Sequence, residues 1–255
     1  MKVAIIQSNL IWEDPAANRR IFEEKINEIT ENVDLIVLPE MFTTGFTMYP
    51  VEVAESMQGE TIHWMQSISN SKKSAIIGSL IVKEGGRYYN RLVFILPSGE
   101  ISYYDKKHLF TLAGEDRIYT PGTEKLIVEY MGFRICPLIC YDLRFPVFSR
   151  NSEDYDLLLY VANWPKARIN AWDILLKARS VENMCYTIGV NRVGADNNQF
   201  EYVGHSQAVD FFGGYLVAPQ ESEGIFYAII DKDNLLEYRR KFGFLNDRDP
   251  FTFSS

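Results

Sequence analysis

No apolar run in this chain reaches the ~18 residues that a membrane-spanning helix needs. The first residues, Met1-Lys2-Val3-Ala4-Ile5-Ile6-Gln7, pass straight into a strand-like run and then turn polar, unlike a secretory leader. Both absences point to the cytoplasm and away from a membrane. Cysteine is scarce: Cys136, Cys140 and Cys185 are the only three, an odd number that argues against a disulfide framework. Cys136 and Cys140 share strand parity, but Pro137 lies between them and no third ligand is near, so a zinc site is a poor reading. A glycine-rich phosphate loop is missing, which excludes nucleotide use. An excess of basic residues is missing too. The net charge of −8 excludes a nucleic-acid surface, and an anionic substrate would need a local cationic site working against that field. Linkers, repeats and low-complexity segments are also lacking.

Apolar and aromatic residues are plentiful. They make up 47% and 14% of 255 residues, enough to bury a sizeable core in one large domain. Residues 1–255 are read as that domain, with 243–255 as a C-terminal tail that needs a neighbour to hold it. Lys2 to Ser8 reads as a buried strand, and Asp14-Pro15 starts a helix with Phe22, Ile26 and Ile29 on one face. Asp34 to Leu38 is a short apolar run typical of a strand covered on both sides. A helix is expected over Thr61 to Asn70, and a hairpin over Ser74 to Leu96 through Gly85-Gly86. Ile101 to Tyr104 is a further strand. Lys125 to Tyr130 and Phe133 to Ile139 form a second hairpin about Met131-Gly132. Phe145 to Arg150 reads as helix, Asp156 to Ala162 as strand, Ala171 to Asn183 as helix and Thr187 to Val193 as strand. His205 to Phe211 and Ile225 to Asp231 close the sheets, and Leu235 to Lys241 is a late helix. Strands alternating with helices, but interleaved with hairpins, do not fit one parallel doubly wound sheet. The pattern predicts a layered α/β fold, with four layers rather than three.

Three apolar strands end in reactive side chains: Glu40, Lys106 and Cys140. Ligand sites in α/β sheets tend to lie beyond the carboxyl ends of strands. Cys140 ends an apolar run and is followed by Tyr141-Asp142-Leu143-Arg144, which places a sulfur at a sharp turn between strand and helix. Cysteine is also a small hydrophobe that is often simply buried, so the turn alone does not decide its role. A thiol is mostly protonated at neutral pH and needs a base, which Glu40 can supply. Lys106 can stabilise the charge that develops on a carbonyl oxygen, and the Tyr141 backbone N–H, just after the sulfur, is a natural second donor. Either Lys106 or Lys107 could point inward, since neighbouring side chains alternate along an extended segment. Glu40 could instead be a turn cap, and the lysine a solvated surface residue.

Pro39-Glu40, then Tyr104-Asp105-Lys106-Lys107-His108-Leu109-Phe110, then Ile139-Cys140-Tyr141-Asp142-Leu143-Arg144-Phe145-Pro146 resemble, in order, the three signatures of the nitrilase superfamily of carbon–nitrogen hydrolases. The resemblance selects Lys106 over Lys107. It implies a second glutamate that contacts the lysine, a place that Glu115 matches. Pro39 to Phe46, Ala162-Asn163-Trp164-Pro165 and Ala178 to Asn183 extend the similarity to the omega-amidase branch. That branch converts 2-oxoglutaramate and 2-oxosuccinamate to the 2-oxo acids and ammonia. The resemblance further implies an αββα sandwich, a homodimer, a small-molecule amide substrate, a cysteine thioester intermediate and no cofactor.

A 2-oxo acid carries a carboxylate that suits a planar guanidinium. Arg168 and Arg117 are candidates, and Arg144 is a third unless it pairs with Asp142 to shape the turn. Phe42 and Trp164 are expected to wall the pocket, against the alternative of core packing. Cys185 reads as buried and His108 as a loop-packing residue rather than the base of a Cys–His hydrolase, while His63 and His205 have no partner that sequence reveals. Competing readings are a nitrile hydrolase, a carbamoylase or another amidase with the same three residues, and a non-catalytic binding protein on the same fold.

Overall fold

The computed structural model describes residues 1–252. One six-stranded sheet contains β1 (Lys2–Gln7), β2 (Leu35–Val37), β3 (Ala75–Glu84), β4 (Arg87–Ile95), β5 (Ile101–Asp105) and β14 (Gly224–Ile229), in the order β14-β1-β2-β3-β4-β5. β1, β2 and β3 run parallel, and β4, β5 and β14 are antiparallel to their neighbours. The second sheet has the order β13-β12-β9-β8-β7-β6. Its strands are β6 (Val128–Tyr130), β7 (Phe133–Ile139), β8 (Leu157–Ala162), β9 (Tyr186–Asn191), β12 (Gln207–Val209) and β13 (Tyr215–Val217). A separate hairpin pairs β10 (Val193–Ala195) with β11 (Glu201–Val203).

Side-chain alternation builds the layers. Val3 and Ile5 of β1 face the second sheet in one core, with Val37, Ile77 and Phe94 beside them and Ile135 and Leu159 opposite. Ala4 and Ile6 face the other way. They meet Phe22 and Ile26 of α1 (Pro15–Asn27) and Ile62, Met65 and Ile68 of α2 (Glu60–Lys72). The short helix α3 (Pro146–Ser149) follows the Cys140 turn. Trp172 and Leu176 of α4 (Ile169–Asn183) and Leu235 of α5 (Lys232–Phe242) join the core that includes the second sheet. Helices outside and two face-to-face mixed sheets inside make the expected αββα sandwich. Asp14 caps α1 by accepting the Ala17 N–H at 2.9 Å, and Pro15 takes the first helical position, as the sequence predicts.

Both predicted hairpins form. Gly85 and Gly86 turn β3 into β4 with φ of 56° and 78°. Met131 and Gly132 join β6 to β7 at φ 48° and 77°, a turn with two left-handed residues that matches strand twist. Three expectations change. The strand before Met131 begins only at Val128, because Lys125 is drawn off to Glu153 and the Arg150 carbonyl. The strand expected through Val193 breaks at Arg192, a buried guanidinium that bonds the carbonyls of Leu10, Val193 and Ala195. The β10–β11 hairpin and β13 were not foreseen. Of the tail, Phe244–Asp247 form one helical turn and Arg248 reaches Asp154 and the Asn151 carbonyl at 2.8 Å. Residues 253–255 of that tail lie outside the described residues.

Candidate active site

Glu40, Lys106 and Cys140 leave the ends of β2, β5 and β7, and the fold brings all three to the floor of one cavity of about 490 Å³. β2 and β5 are not neighbours in their sheet. The strands between them supply polar residues that bridge the gap. Ser79 of β3 donates to Asn90 Oδ1 of β4 at 2.9 Å, and Asn90 Nδ2 donates to Glu40 Oε1 at 2.8 Å and Glu115 Oε1 at 3.3 Å. Lys106 Nζ lies 2.9 Å from Glu40 Oε1 and 3.0 Å from Glu115 Oε2. The second glutamate thus contacts the lysine. Lys106, Glu40 and Glu115 are all buried. Phe110 N–H donates to Glu115 Oε2 at 2.6 Å, and Asn163 N–H donates to Glu40 Oε2 at 2.8 Å.

Burial by itself would drive the Lys106 proton off, but the charges of Glu115 and Glu40 outweigh it and hold the ammonium above its ordinary range. Glu115 is pushed up by burial and by Glu40, with Lys106 pulling the other way. For Cys140, burial, the Glu40 charge and a hydrogen bond to Glu40 raise the thiol well above its usual value, against the pull of Lys106. The resting sulfur is therefore a thiol, and it has a carboxylate beside it.

Cys140 sits at φ 43° where β7 runs into the helical turn Cys140–Arg144. A left-handed conformation at a residue with a Cβ costs about 1–3 kcal/mol and is characteristic of functional turns. The Tyr141 N–H falls in the first turn of that helix, where N–H groups have no intrahelical acceptor. Cys136 and Cys185 are buried in the core, and burial raises both thiols, Cys185 to about 12. His108 stacks on Phe145 at 3.7 Å between ring centres and contacts Asp142 rather than the sulfur, in keeping with a packing role.

The wall residues sort differently from the expectation. Trp164 lines the cavity. Phe42 does not: it lies behind the sheet with Phe22 and Trp64, at ring distances of 5.4 and 5.9 Å, tight against Gly78. The left-handed turn at Met41 (φ 42°) sends Phe42 into the outer core, and Phe46 takes the pocket position, with Lys106 Nζ 5.1 Å from its ring. Arg117 is exposed and does not line the cavity. Arg144 and Arg168 do, lying over the rings of Trp164 and Phe110 at 5.1 and 5.0 Å. Neither has a carboxylate partner among the described residues. The alternative pairing of Arg144 with Asp142 does not form, because Asp142 accepts from Tyr104, His108 and Ile139 instead. Sequence reasoning missed Asn90, Phe46 and Tyr202, the last carried in by the β11 strand. For Asn90 a signal was present, a polar pair Asn90-Arg91 inside an otherwise apolar strand. Among the described residues no group of three His, Cys, Asp or Glu is disposed to hold a metal.

The chain belongs to the carbon-nitrogen hydrolase family, whose model matches residues 2–240. It is an enzyme of that class, and the resemblance drawn from the three motifs is borne out. The chain is 42% identical to omega-amidase YafV of Yersinia enterocolitica over 98% of both chains. It is 30% identical to 2-oxoglutaramate amidase of Bacillus subtilis over 96% of both. A CN-hydrolase superfamily protein of Xanthomonas campestris, solved with an arsenic adduct in its active site, superposes with a TM-score of 0.97. That protein is 40% identical, with 100% of this chain and 99% of that one covered.

Proposed function

We propose that this chain is an omega-amidase. It hydrolyses the terminal amide of a small 2-oxo acid, 2-oxoglutaramate or 2-oxosuccinamate, to the 2-oxo dicarboxylate and ammonia. The observation that carries the reading is one cavity lined by Cys140, Glu40 and Lys106 and by two guanidiniums, Arg144 and Arg168, that have no carboxylate partner among the described residues. Relatives named for omega-amidase and 2-oxoglutaramate amidase activity support the substrate class.

In this reading the labour divides between atoms. Glu40 Oε1 already accepts two N–H bonds, from Lys106 and Asn90, whereas Oε2 accepts one, from Asn163. Oε2 therefore has acceptor capacity left and takes the thiol proton as the sulfur attacks the amide carbon. Lys106 carries three N–H groups; one goes to Glu40 Oε1, and one is shared between the two oxygens of Glu115 at 3.1 and 3.0 Å. The third, with the Tyr141 N–H, holds the oxyanion, each such donor being worth about 10²–10³ in rate. Glu40 then passes its proton to the departing ammonia and leaves a thioester on Cys140. Water, deprotonated by Glu40, cleaves the thioester and restores the thiol. Glu115 fixes the Lys106 ammonium from the far side, and Asn90 holds the two carboxylates in register.

Ammonia release from 2-oxoglutaramate, glutamine, an N-carbamoyl amino acid and a nitrile tests the reading. Turnover of the 2-oxo amide well above the other three is expected. No turnover of it beside good turnover of a carbamoyl compound or a nitrile would reassign the substrate class. Arg168→Ala and Arg144→Ala together should raise KM for 2-oxoglutaramate about 10-fold or more, since a charge-assisted bond is worth roughly 1.5–3 kcal/mol.

The reading takes residues 1–255 as one hydrolase domain acting as a homodimer in the cytoplasm. Dimerisation is supported by exposed apolar side chains on α4 (Ile174, Val181), the loop after β12 (Phe212), β13 (Leu216) and the end of α5 (Phe242). Rings from Phe211 through Tyr238 to Phe244 link this surface into one patch. Free thiols persist in a reducing compartment. No helix among the described residues is long and apolar enough to cross a membrane. A monomeric mass by light scattering would contradict the dimer.

A further inference from the structure

We propose that Asp142 is a positioning residue for the reaction, which locks the Cys140 turn to the segment that carries Lys106. The inference rests on the reading of Cys140 and Lys106 given above. Asp142 is completely buried and its carboxylate accepts four hydrogen bonds. Oδ2 takes the Ile139 N–H at 3.0 Å and the Tyr104 hydroxyl at 2.8 Å. Oδ1 takes the His108 N–H at 3.0 Å and lies 2.8 Å from His108 Nδ1.

Those donors come from two places that strand pairing does not connect. Ile139 precedes the nucleophile at the end of β7 in one sheet. Tyr104 and His108 stand two residues to either side of Lys106, at and beyond the end of β5 in the other sheet. The Tyr104 hydroxyl also accepts the Lys107 N–H at 3.0 Å, which fixes the chain immediately after Lys106. The His108 ring is held parallel to Phe145, within 6°, and this keeps Nδ1 on the carboxylate. One side chain therefore sets where the sulfur stands relative to the ammonium, across the boundary between the sheets. It also braces the strained Cys140 backbone, because the Ile139 bond closes the turn over the left-handed residue. A misplacement of about 1 Å can cost about 10² in rate.

The test compares Asp142→Asn, Tyr104→Phe, the double variant, His108→Ala and His108→Gln in the full chain. Rates are expressed per intact Cys140, counted by iodoacetamide incorporation. Asp142→Asn should lower kcat about 10²-fold with KM changed less than about threefold, and Tyr104→Phe should lower kcat about 10-fold. The double variant should be no slower than Asp142→Asn alone, since both break one linkage. His108→Gln, which keeps a donor, should retain more activity than His108→Ala. In Tyr104→Phe the pH profile of Cys140 alkylation should also move to higher pH, because the ammonium is no longer held beside the sulfur. That readout needs no substrate, so it decides the proposal even if 2-oxoglutaramate is not turned over, an outcome that would count against the functional reading alone. An unchanged kcat in Asp142→Asn, independent multiplication of the two effects, or an unmoved alkylation profile would overturn it. Should Asp142→Asn fail to fold, Tyr104→Phe decides alone through its kcat and its alkylation profile.

Discussion

Replacing Lys106 by methionine keeps the side chain's bulk and deletes its charge, leaving Glu40 and Glu115 buried with no cation between them. Breaking a buried ion pair from one side costs about 3–5 kcal/mol, a large share of the roughly 5–15 kcal/mol that holds a domain together. The loss should depend on pH in a defined direction. Glu115 already sits above its ordinary value, and Lys106 is the group that pulls it down. Without the ammonium it rises further. A carboxyl raised in the fold gives stability that is full below its unfolded pKa and lost as pH climbs through its folded one. Lys106 in the parent chain, raised itself, remains charged throughout this range. Urea unfolding should therefore place Lys106→Met about 3–5 kcal/mol below the parent near pH 8. The gap should narrow toward pH 5, as the buried carboxyl takes up a proton. Turnover should fall about 10²–10³-fold from the lost oxyanion donor. Lys107→Met is the control and should stay within about 0.5 kcal/mol. Equal losses at both pH values, or a Lys107 variant as damaged as Lys106→Met, would refute the reasoning.

Two further predictions come from the cores. Cys185 lies at about 12 against 9.0 for a free thiol, because burial disfavours the thiolate. Its contribution is complete below the free value and is lost as pH rises, about 1.4 kcal/mol by pH ~10. The destabilisation caused by Cys185→Ala, followed by denaturant midpoint, should thus shrink between about pH 8 and about pH 10; a constant difference would contradict it. Phe42→Ala should cost about 3–5 kcal/mol while leaving kcat per folded molecule within about threefold. Phe46→Ala should do the reverse, a small stability change with a clear loss of turnover, and matched behaviour of the two would contradict their placement.

What was legible in the sequence, and what was not, follows the range of the interactions involved. The apolar run after Lys2, the spacing of Phe22, Ile26 and Ile29, and the Gly85-Gly86 and Met131-Gly132 turns are local, and they led to the sheets and their covering helices. Glu40, Lys106 and Cys140 could be placed at strand ends for the same reason. Phe42 was misplaced because a single left-handed residue, Met41, decides which side of the sheet the next side chain enters. The β10–β11 hairpin has only three residues per strand, and it follows buried Arg192, which interrupts the preceding strand to bond the distant Leu10 carbonyl as well as the nearby carbonyls of Val193 and Ala195. Asn90 stands out locally as a polar residue within β4, but its carboxylate partners lie 25 and 50 positions away and the Tyr104 and His108 partners of Asp142 lie 38 and 34 away, and no local pattern reports such pairs.

The central claim is that Cys140 carries the acyl group. Rapid quenching of the enzyme with 2-oxoglutaramate, followed by peptide mass spectrometry, tests it most directly. The account predicts an acyl adduct, labile to hydroxylamine, located by fragmentation on Cys140 rather than Cys136 of the peptide that carries both, present in the parent chain and absent from Cys140→Ala. An adduct on Cys136 or Cys185, or turnover that survives in Cys140→Ala, would contradict it.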